Sequence, residues 1–434
     1  MNDDVGSSAL RKTLLRLVPF SMLLFFVQMT DKTNVSYAAL QMNQDLGFTP
    51  AVYGMGAGIF FLGAFLFEIP SNLILLRVGA RRWLARIMIS WGLIVVGLAW
   101  VHTARSFYVL RFLLGAAEAG LLPGLMYYLG TWIPKERRGV ATSWLMSASA
   151  IGPIIGAPLA TGIMELHGFG GFAGWQWLFL LEGAATVVVG FMTLYGLPNS
   201  PADARWLNAR EQQWLSDVMS RELAAKKRTG MTSLAAGFLN RRVLIALVIS
   251  FLLVFCNFGL VLWLPQMLKS FGGLTNMQVG LLSVLPYTCG AIGMILCGRF
   301  SDRFGERRWY LVAGGIVAAV GYAAAGLAPN NTLVFLSMCI AAAGILSTFG
   351  VFWAYANDLL GGAAAAGGLA FINTASQLGG FLGPTVVGYL RQATHGFTES
   401  LFVLAACSFV TAIVALALKK PPPQTSTLPS GALA

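Results

Sequence analysis

The chain has 434 residues, of which 57% are hydrophobic and only 11% are charged. A soluble domain is typically about one quarter charged. This chain has too few charges to cover a soluble surface, so lipid is the solvent expected for most of it. The net charge of +12 raises the question of nucleic-acid binding. The basic residues lie in short loops between apolar stretches and form no basic domain, which argues against that class of function.

Apolar stretches of roughly 20 residues, the length needed to cross a bilayer, recur along the whole chain. They predict an all-α membrane protein with twelve membrane-spanning helices. The predicted spans are 14–39, 52–75, 83–103, 106–131, 139–165, 176–198, 243–268, 278–300, 308–328, 332–356, 366–391 and 397–418.

Most of the 29 lysines and arginines lie on one side of these spans. By the positive-inside rule that side is cytoplasmic, which places both termini inside the cell. The long loop 199–242 is on the same side, and the spaced apolar residues of LNAREQQWLSDVMSREL predict an amphipathic helix within it. The chain is therefore predicted to divide into an N-terminal six-helix half (1–198), a cytoplasmic linker (199–242), and a C-terminal six-helix half with a short cytoplasmic tail (243–434).

The two halves share a short motif after an equivalent span. After predicted span 8, GRFSDRFGERR fits the pattern G-x-x-x-D-R-x-G-x-R-R, and after span 2, NLILLRVGARR keeps the second part of that pattern. Two six-span repeats with a binding site between them, near the middle of the bilayer, are a transporter architecture. We interpret the complete motif as a gating element formed by Gly298, Asp302, Arg303, Gly305, Arg307 and Arg308.

Charged residues inside a span need individual explanation, because a charge at the bilayer centre costs at least about 2.5–3.5 kcal/mol. Arg111 and Glu118 in span 4 are seven residues apart, nearly two helical turns, and project from about the same face. A structural ion pair between them is the alternative, but ion pairs within a helix prefer a spacing of three or four residues. Both are therefore candidate functional residues.

Asp31 and Lys32 are consecutive near the end of span 1. Neighbouring residues on a helix point about 100° apart, so these two side chains are poorly placed to neutralise each other. Each is expected to face a different partner, one toward span 4 and the other toward a cavity. The alternative is that span 1 ends here and both side chains are in water at the extracellular mouth. Intramembrane charges usually have a function, which favours the first interpretation.

Six segments, in this order, carry a resemblance to a known family. They are DKTNVSYA, FLFEIPSNLIL, RFLLGAAEAGLLPG, GWQWLFLLEG, FWAYANDLL and INTASQLGGFLGP. With the repeated motif and the six-plus-six layout, they make essentially the whole chain similar to the major facilitator superfamily. Within it, the chain resembles the anion:cation symporter family, on the branch that includes tartrate, phthalate and hydroxyphenylacetate permeases. The resemblance implies two pseudo-symmetric halves and uptake of an organic anion with protons across a bacterial inner membrane.

The resemblance also implies roles for the charged residues. By position, Asp31 and Glu118 become proton-coupling sites, while Lys32 and Arg111 become anion-binding sites. The family often has arginine where this chain has Lys32. Lysine is a point charge without a planar fork, so bidentate capture of a carboxylate falls to Arg111.

Polar and aromatic residues of the second half complete the candidate substrate site. Asn373 and Gln377 are four residues apart on span 11 and share a face. Their amides are expected either to hydrogen-bond a substrate or to bridge two helices. Asn257 is a further polar candidate, and Trp353 is expected either to stack on a substrate or to pack against its neighbours.

Two more acids lie in predicted spans but are left outside the predicted site. Glu68 in FLFEIPSN lies toward the cytoplasmic end of span 2, where it could pair with a motif arginine, and both Glu68 and Glu182 in FLLEG are interpreted as structural or gating. The position six residues before Pro70, often tyrosine in the family, is Ala64 here. The missing phenol leaves space and favours an aromatic mono- or dicarboxylate as the substrate.

Several alternatives share the fold or the composition. A sugar-acid or tartrate-type proton symporter and an organic anion exchanger without proton coupling both remain open. An exporter of cationic drugs is poorly matched by two basic residues in the site, and a channel needs no alternating halves. The sequence has no evident nucleophile triad, metal cluster or phosphate-binding loop, so we predict no enzyme, metal or cofactor. The expected partners are a small organic anion, protons and the lipid bilayer, and the expected functional unit is a monomer.

Overall fold

The computed structural model describes residues 2–228, 241–359 and 363–418, and these ranges contain helices and no strand. The α-helices are, in chain order, α1 (Asn2–Asp45), α2 (Pro50–Val78), α3 (Ala80–Leu98), α4 (Ala104–Glu118), α5 (Leu121–Gly130), α6 (Lys135–Met164), α7 (Gly174–Gly196), α8 (Ala209–Arg228), α9 (Arg241–Val261), α10 (Leu264–Lys269), α11 (Asn276–Phe304), α12 (Arg307–Leu327), α13 (Asn331–Leu359), α14 (Ala363–Thr394) and α15 (Thr398–Leu416).

Within the described part of the chain, 10 helical segments are long and apolar enough to cross a membrane. The two other predicted spans, 83–103 and 366–391, overlap with α3 and α14. The prediction of an all-helical, multi-pass membrane protein is therefore confirmed. The count of twelve crossings and the cytoplasmic position of both termini stay predictions.

Helix α1 is much longer than the predicted first span. Its 44 residues extend over about 66 Å at 1.5 Å per residue, roughly twice the thickness of a bilayer core. Its first turns pack against α8, which lies within the predicted linker. Lys12 Nζ lies 2.8 Å from Glu211 Oε1, and the Arg16 guanidinium lies 5.4 Å from the Trp206 ring centroid. These contacts attach α8 and the residues just before it to α1.

The predicted fourth span is interrupted. The stretch 106–131 is divided into α4 and α5 at Ala119 and Gly120, where Gly120 has a φ of 87°. That left-handed backbone conformation is open to glycine and strained for other residues. Ser71 Oγ of α2 donates a hydrogen bond to the freed carbonyl of Ala119 at 2.6 Å. Backbone groups released by a break in the membrane need such a partner.

The predicted seventh span is interrupted in a similar way. The stretch 243–268 is divided into α9 and α10 at Leu262 and Trp263. Tyr53 of α2 donates from its hydroxyl to the Leu262 carbonyl at 2.7 Å, and Trp263 Nε1 donates to the Pro384 carbonyl of α14 at 3.0 Å. This break therefore joins helices from both ends of the chain.

Small residues allow the closest helix crossings. Helix α2 packs against α4, α9 packs against α14, and α12 packs against α13 and α15. A Cβ placed on Gly63 or Gly115 would clash with the backbone of the facing helix at the α2–α4 crossing, and one on Gly379 would do so at the α9–α14 crossing. Glycine is needed at these positions because the backbones approach within contact distance.

Helix α2 runs along α14, and α6 runs along α11, so these pairs connect the N-terminal helices to the C-terminal helices. We use "loop end" for the end of the bundle that holds the loops around 46–49 and 395–397, away from the chain termini. There, Gly54 packs against Pro384 and Gly388. Arg391 donates to Gln266 Oε1 at 2.6 Å, which holds α10 against α14.

Candidate functional site

The sequence-predicted charges of spans 1 and 4 meet between α1 and α4. Glu118 is the last residue of α4 and is buried, and its Oε1 lies 3.2 Å from Lys32 Nζ. Gln28 Nε2 donates to the same oxygen at 2.7 Å, while Glu118 Oε2 is buried and has no hydrogen-bond partner in the described part of the chain. Gln28 and Lys32 are one turn apart on α1 and so present one face to Glu118. The predicted anion-binding base is thus paired with the predicted proton-coupling acid.

Arg111 lies two turns before Glu118 on α4 and is only 1% exposed. Its Nε and Nη2 donate to the carbonyls of Gly56 and Ala57 at 3.2 and 3.3 Å. Among the described residues, no carboxylate lies within 4.0 Å of this guanidinium. Its positive charge is met here by backbone dipoles and by the ring of Phe60, whose centroid is 4.9 Å away.

Phe60 connects the two predicted anion-binding bases. Lys32 Nζ lies 5.9 Å from the centroid of the Phe60 ring, and the Arg111 guanidinium carbon lies 4.9 Å from the same centroid. A cation within about 6 Å of a ring centroid is attracted by the ring quadrupole. The two bases therefore flank one aromatic residue of α2, which gives the site a centre that sequence reasoning missed.

Asp31 faces away from Lys32, as their neighbouring positions predict. Trp91 Nε1 of α3 donates to Asp31 Oδ2 at 2.8 Å, and Asn34 Nδ2 donates to Asp31 Oδ1 at 2.8 Å. The same Asn34 nitrogen lies 2.5 Å from Glu182 Oε2 of α7. Two membrane carboxyl groups are therefore bridged by one amide. Sequence reasoning left Glu182 out of the site, although Asn34 three residues after Asp31 was a signal for this face of α1.

Glu68 of α2 has partners on α14. Asn373 Nδ2 lies 2.5 Å from Glu68 Oε1, and Thr374 Oγ1 lies 3.4 Å from Glu68 Oε2. The side chain of Gln377 faces the same carboxyl group. The motif arginine considered as a partner of Glu68 is not within 4.0 Å of it in the described ranges. The structure instead uses Asn373 to bridge two helices, one of the two roles predicted for it.

The remaining predicted substrate residues lie on C-terminal helices. Asn257 is partly buried on α9. Trp353 is partly buried on α13, and its ring contacts those of Phe349 and Phe352 at centroid distances of 6.3 and 5.5 Å. The packing role predicted for Trp353 is thus present, and its stacking on a substrate stays a prediction.

The predicted gating motif lies at the junction of α11 and α12, formed by Gly298, Asp302, Arg303, Gly305, Arg307 and Arg308. Gly305 ends α11 with a φ of 65°, and Asp302 Oδ1 lies 3.5 Å from Arg307 Nη2. The matching junction of α2 and α3 contains Gly79, with a φ of 91°. Both turns need glycine because of their positive φ, which explains why the two halves keep it.

Comparisons with known proteins agree with this architecture. The family model described as Major Facilitator Superfamily matches residues 21–384 and 267–433. A putative tartrate transporter of Agrobacterium vitis is 43% identical over 424 residues, 98% of each chain. A quinolone resistance transporter of Acinetobacter baumannii is 35% identical over 402 residues, 93% of each chain.

A solved structure has the same fold at low identity. A bacterial homologue of the human lysosomal transporter Spinster, in an inward-facing and occupied conformation, superposes with a TM-score of 0.76, covering 92% of this chain and 95% of that one at 16% identity. With the family match and the transporter relatives, the chain is a membrane transporter rather than an enzyme. It belongs to the major facilitator superfamily.

Proposed function

We propose that the protein imports a small organic carboxylate together with protons, by alternating access to a central site. The observation that carries this proposal is the buried arrangement of Lys32, Glu118 and Arg111. Lys32 is held by Glu118, while Arg111 has no carboxylate within 4.0 Å among the described residues and interacts with Asp31 and Glu118 only at longer range. A buried cation is costly unless it is paired, and a substrate carboxylate supplies the missing partner.

The proton acts through Glu118. In the described state the carboxyl group of Glu118 is the group that holds Lys32. Protonation of Glu118 removes its negative charge and frees Lys32 to bind an anion, so proton loading and substrate loading become linked. Neutralised charges also lower the cost of closing apolar helices over the site. On the side of lower proton concentration Glu118 ionises again, recaptures Lys32 and releases the substrate.

A dicarboxylate substrate is supported by the transporter relatives and by the presence of two basic residues in the site. A putative tartrate transporter is 43% identical over 98% of the chain, which favours a tartrate-like dicarboxylate. Two cations, Lys32 and Arg111, match two carboxylates, and the planar fork of arginine suits bidentate binding. An aromatic carboxylate is a second candidate, favoured by Ala64 and by Phe60 between the two bases.

The charge distribution supports an inner-membrane location with both termini in the cytoplasm. The loop end then faces outward. The contacts of Gly54 with α14 and of Arg391 with Gln266 join the helices at that end. They are the contacts expected of a state closed to the outside.

The test is uptake into proteoliposomes of tartrate, phthalate, 4-hydroxyphenylacetate and galactonate, each with and without an inward proton gradient. We expect accumulation of one of these acids that collapses with a protonophore. Uptake only into vesicles preloaded with an anion would instead establish exchange. Glu118→Gln removes the titrating group, so we expect it to lose gradient-driven accumulation and to keep substrate counterflow. Accumulation equal to wild type by this variant would remove Glu118 from the coupling mechanism.

A further inference from the structure

Three polar side chains of α14 converge on one carboxyl group of α2. Asn373 donates to Glu68 Oε1 at 2.5 Å, Thr374 approaches Oε2 at 3.4 Å, and Gln377 faces the same group. Glu68 is 6% exposed and Thr374 is 5% exposed. The carboxyl group is therefore enclosed by donors from a helix at the other end of the chain.

These donors are the ones that sequence reasoning assigned to the substrate. Asn373 and Gln377 share a face of α14, and side-chain amides are suitable donors for a carboxylate. In the described structure they face a carboxyl group of the protein itself. Glu68 and an organic acid have the same binding chemistry, so both compete for the same N–H groups.

We propose that Glu68 is a tethered competitor of the substrate: in the described state it occupies the carboxylate-binding donors of α14, and an incoming substrate carboxylate must displace it. This inference rests on the proposed function, because it requires an organic carboxylate as ligand. It adds a residue that the resemblance left outside the site.

The position of Glu68 gives this competition a consequence. Glu68 lies on α2 and its partners lie on α14, and these two helices form a long contact between the N-terminal and C-terminal helices. Displacement of Glu68 by substrate removes a hydrogen bond between the two sets of helices. Substrate arrival thereby loosens one of the contacts that hold this state, and return of Glu68 to Asn373 helps to expel the substrate.

The test is the Kd of tartrate and of phthalate for purified protein, measured by isothermal titration calorimetry. Glu68→Ala removes the competitor, and Glu68→Gln removes its charge while keeping its shape. We expect both variants to bind the acid more tightly, by about tenfold if the donors are free in only about a tenth of wild-type molecules. The control is Glu165→Ala, which removes an exposed acid at the loop end and should leave the Kd for the acid at its wild-type value.

A second variant separates competition from a structural role. In an Asn373→Ala background one of the three contested donors is gone while Thr374 and Gln377 remain, so Glu68→Ala should improve binding less than it does in the wild-type background, and the two effects should be non-additive. A merely structural Glu68 predicts a lower melting temperature with unchanged or weaker binding. If Glu68→Ala does not fold, the Kd of Glu68→Gln alone decides whether Glu68 competes with the substrate.

The outcomes also separate this inference from the function it rests on. If wild type binds neither acid and transports none of the four acids of the uptake panel, the proposed function is wrong and this inference falls with it. If wild type binds or transports an acid and neither Glu68 variant binds that acid more tightly, the proposed function stands and the competitor role is wrong.

Discussion

One buried carboxyl group, that of Asp31, and one partly buried carboxyl group, that of Glu182, accept hydrogen bonds from the side chain of Asn34. Its amide nitrogen lies 2.8 Å from Asp31 Oδ1 and 2.5 Å from Glu182 Oε2. Asn34→Ala leaves one oxygen of each carboxyl group without this donor, and a buried polar group left unsatisfied costs about 1–3 kcal/mol. We therefore expect Asn34→Ala to lower the melting temperature in detergent more than Ser36→Ala does. Ser36 is the matched control, because it is buried on the same helix and donates to a neutral carbonyl, that of Thr33, at 2.6 Å. Equal losses for both variants would contradict the dependence of the carboxyl groups on Asn34.

Arg111 has geometry that lysine cannot reproduce. Its Nε and Nη2 are committed to two carbonyls of α2, and the remaining edge of a planar guanidinium can still present donors to a carboxylate. We expect Arg111→Ala to weaken substrate binding by about 10- to 100-fold, the range of one or two charge-assisted hydrogen bonds. Arg111→Lys should recover little, because a point charge cannot serve the carbonyls and the substrate together. The measurement is the Kd of the transported acid, with gel filtration to check folding, and wild-type affinity in Arg111→Ala would remove its anion-binding role.

The sequence identified these charged residues but not their pairing. Hydropathy makes Asp31, Lys32, Arg111 and Glu118 conspicuous because each is a charge in an apolar stretch. It does not show that a residue 148 positions after Asn34 shares its amide. Such partners are set by which helix faces meet, and that depends on packing across the whole bundle.

Helix α8 is attached to the first turns of α1 by a carboxyl group outside the membrane spans. Burial by itself raises the pKa of Glu211. The hydrogen bonds from Lys12, Ser8 and the Asn208 backbone together lower it by more, so the pKa of Glu211 lies below its usual value. A lowered carboxyl pKa gives stability that is present above the unfolded-state pKa and is lost as pH falls through the folded-state pKa. The attachment of α8 is therefore expected to be intact at neutral pH and to weaken in acid.

Substitution of that carboxyl group should release the helix at neutral pH. We expect Glu211→Gln to increase hydrogen exchange in the peptides that cover Ala209–Arg228, because the charge that holds Lys12 is gone. The control is Asp217→Asn, which removes an exposed acid from the same helix. Unchanged exchange in Glu211→Gln at pH 7, or an equal increase in the control, would mean that apolar packing rather than the ion pair attaches α8.

Hydropathy predicted the helical spans well and their interruptions not at all. A sliding window counts apolar residues, and the stretches across Gly120 and across Trp263 are apolar on both sides of each break. Local signals were present, since Gly120 precedes Pro123 and Trp263 precedes Pro265. Proline within a few residues often marks the first turn of a new helix. The breaks are stable because α2 supplies hydrogen bonds to the Ala119 and Leu262 carbonyls, and those partners are invisible in the local sequence.

For the whole molecule, the contact between α2 and α14 at the loop end defines the described state. The backbones approach so closely that a Cβ on Gly54 would lie 2.6 Å from the Pro384 carbonyl oxygen and 3.0 Å from the Gly388 Cα. Backbone atoms on both sides cannot yield as a flexible side chain does. Alternating access requires this contact to open once in each cycle, so a side chain larger than glycine here should block one half of the cycle.

We expect Gly54→Leu to hold the loop end open and to abolish uptake while substrate still binds. The readout is labelling of a Thr385→Cys variant by a membrane-impermeant maleimide added outside, because Thr385 is 5% exposed and lies against the Gly54 carbonyl at 3.5 Å. The cysteine should react slowly in the otherwise native chain and rapidly with Gly54→Leu. Gly196→Leu is the control, since a Cβ there meets no atom of the described residues within 4 Å, and the same residue change should leave labelling and uptake unaltered. If Gly54→Leu took up substrate at the wild-type rate, the loop-end contact would not be part of the transport cycle.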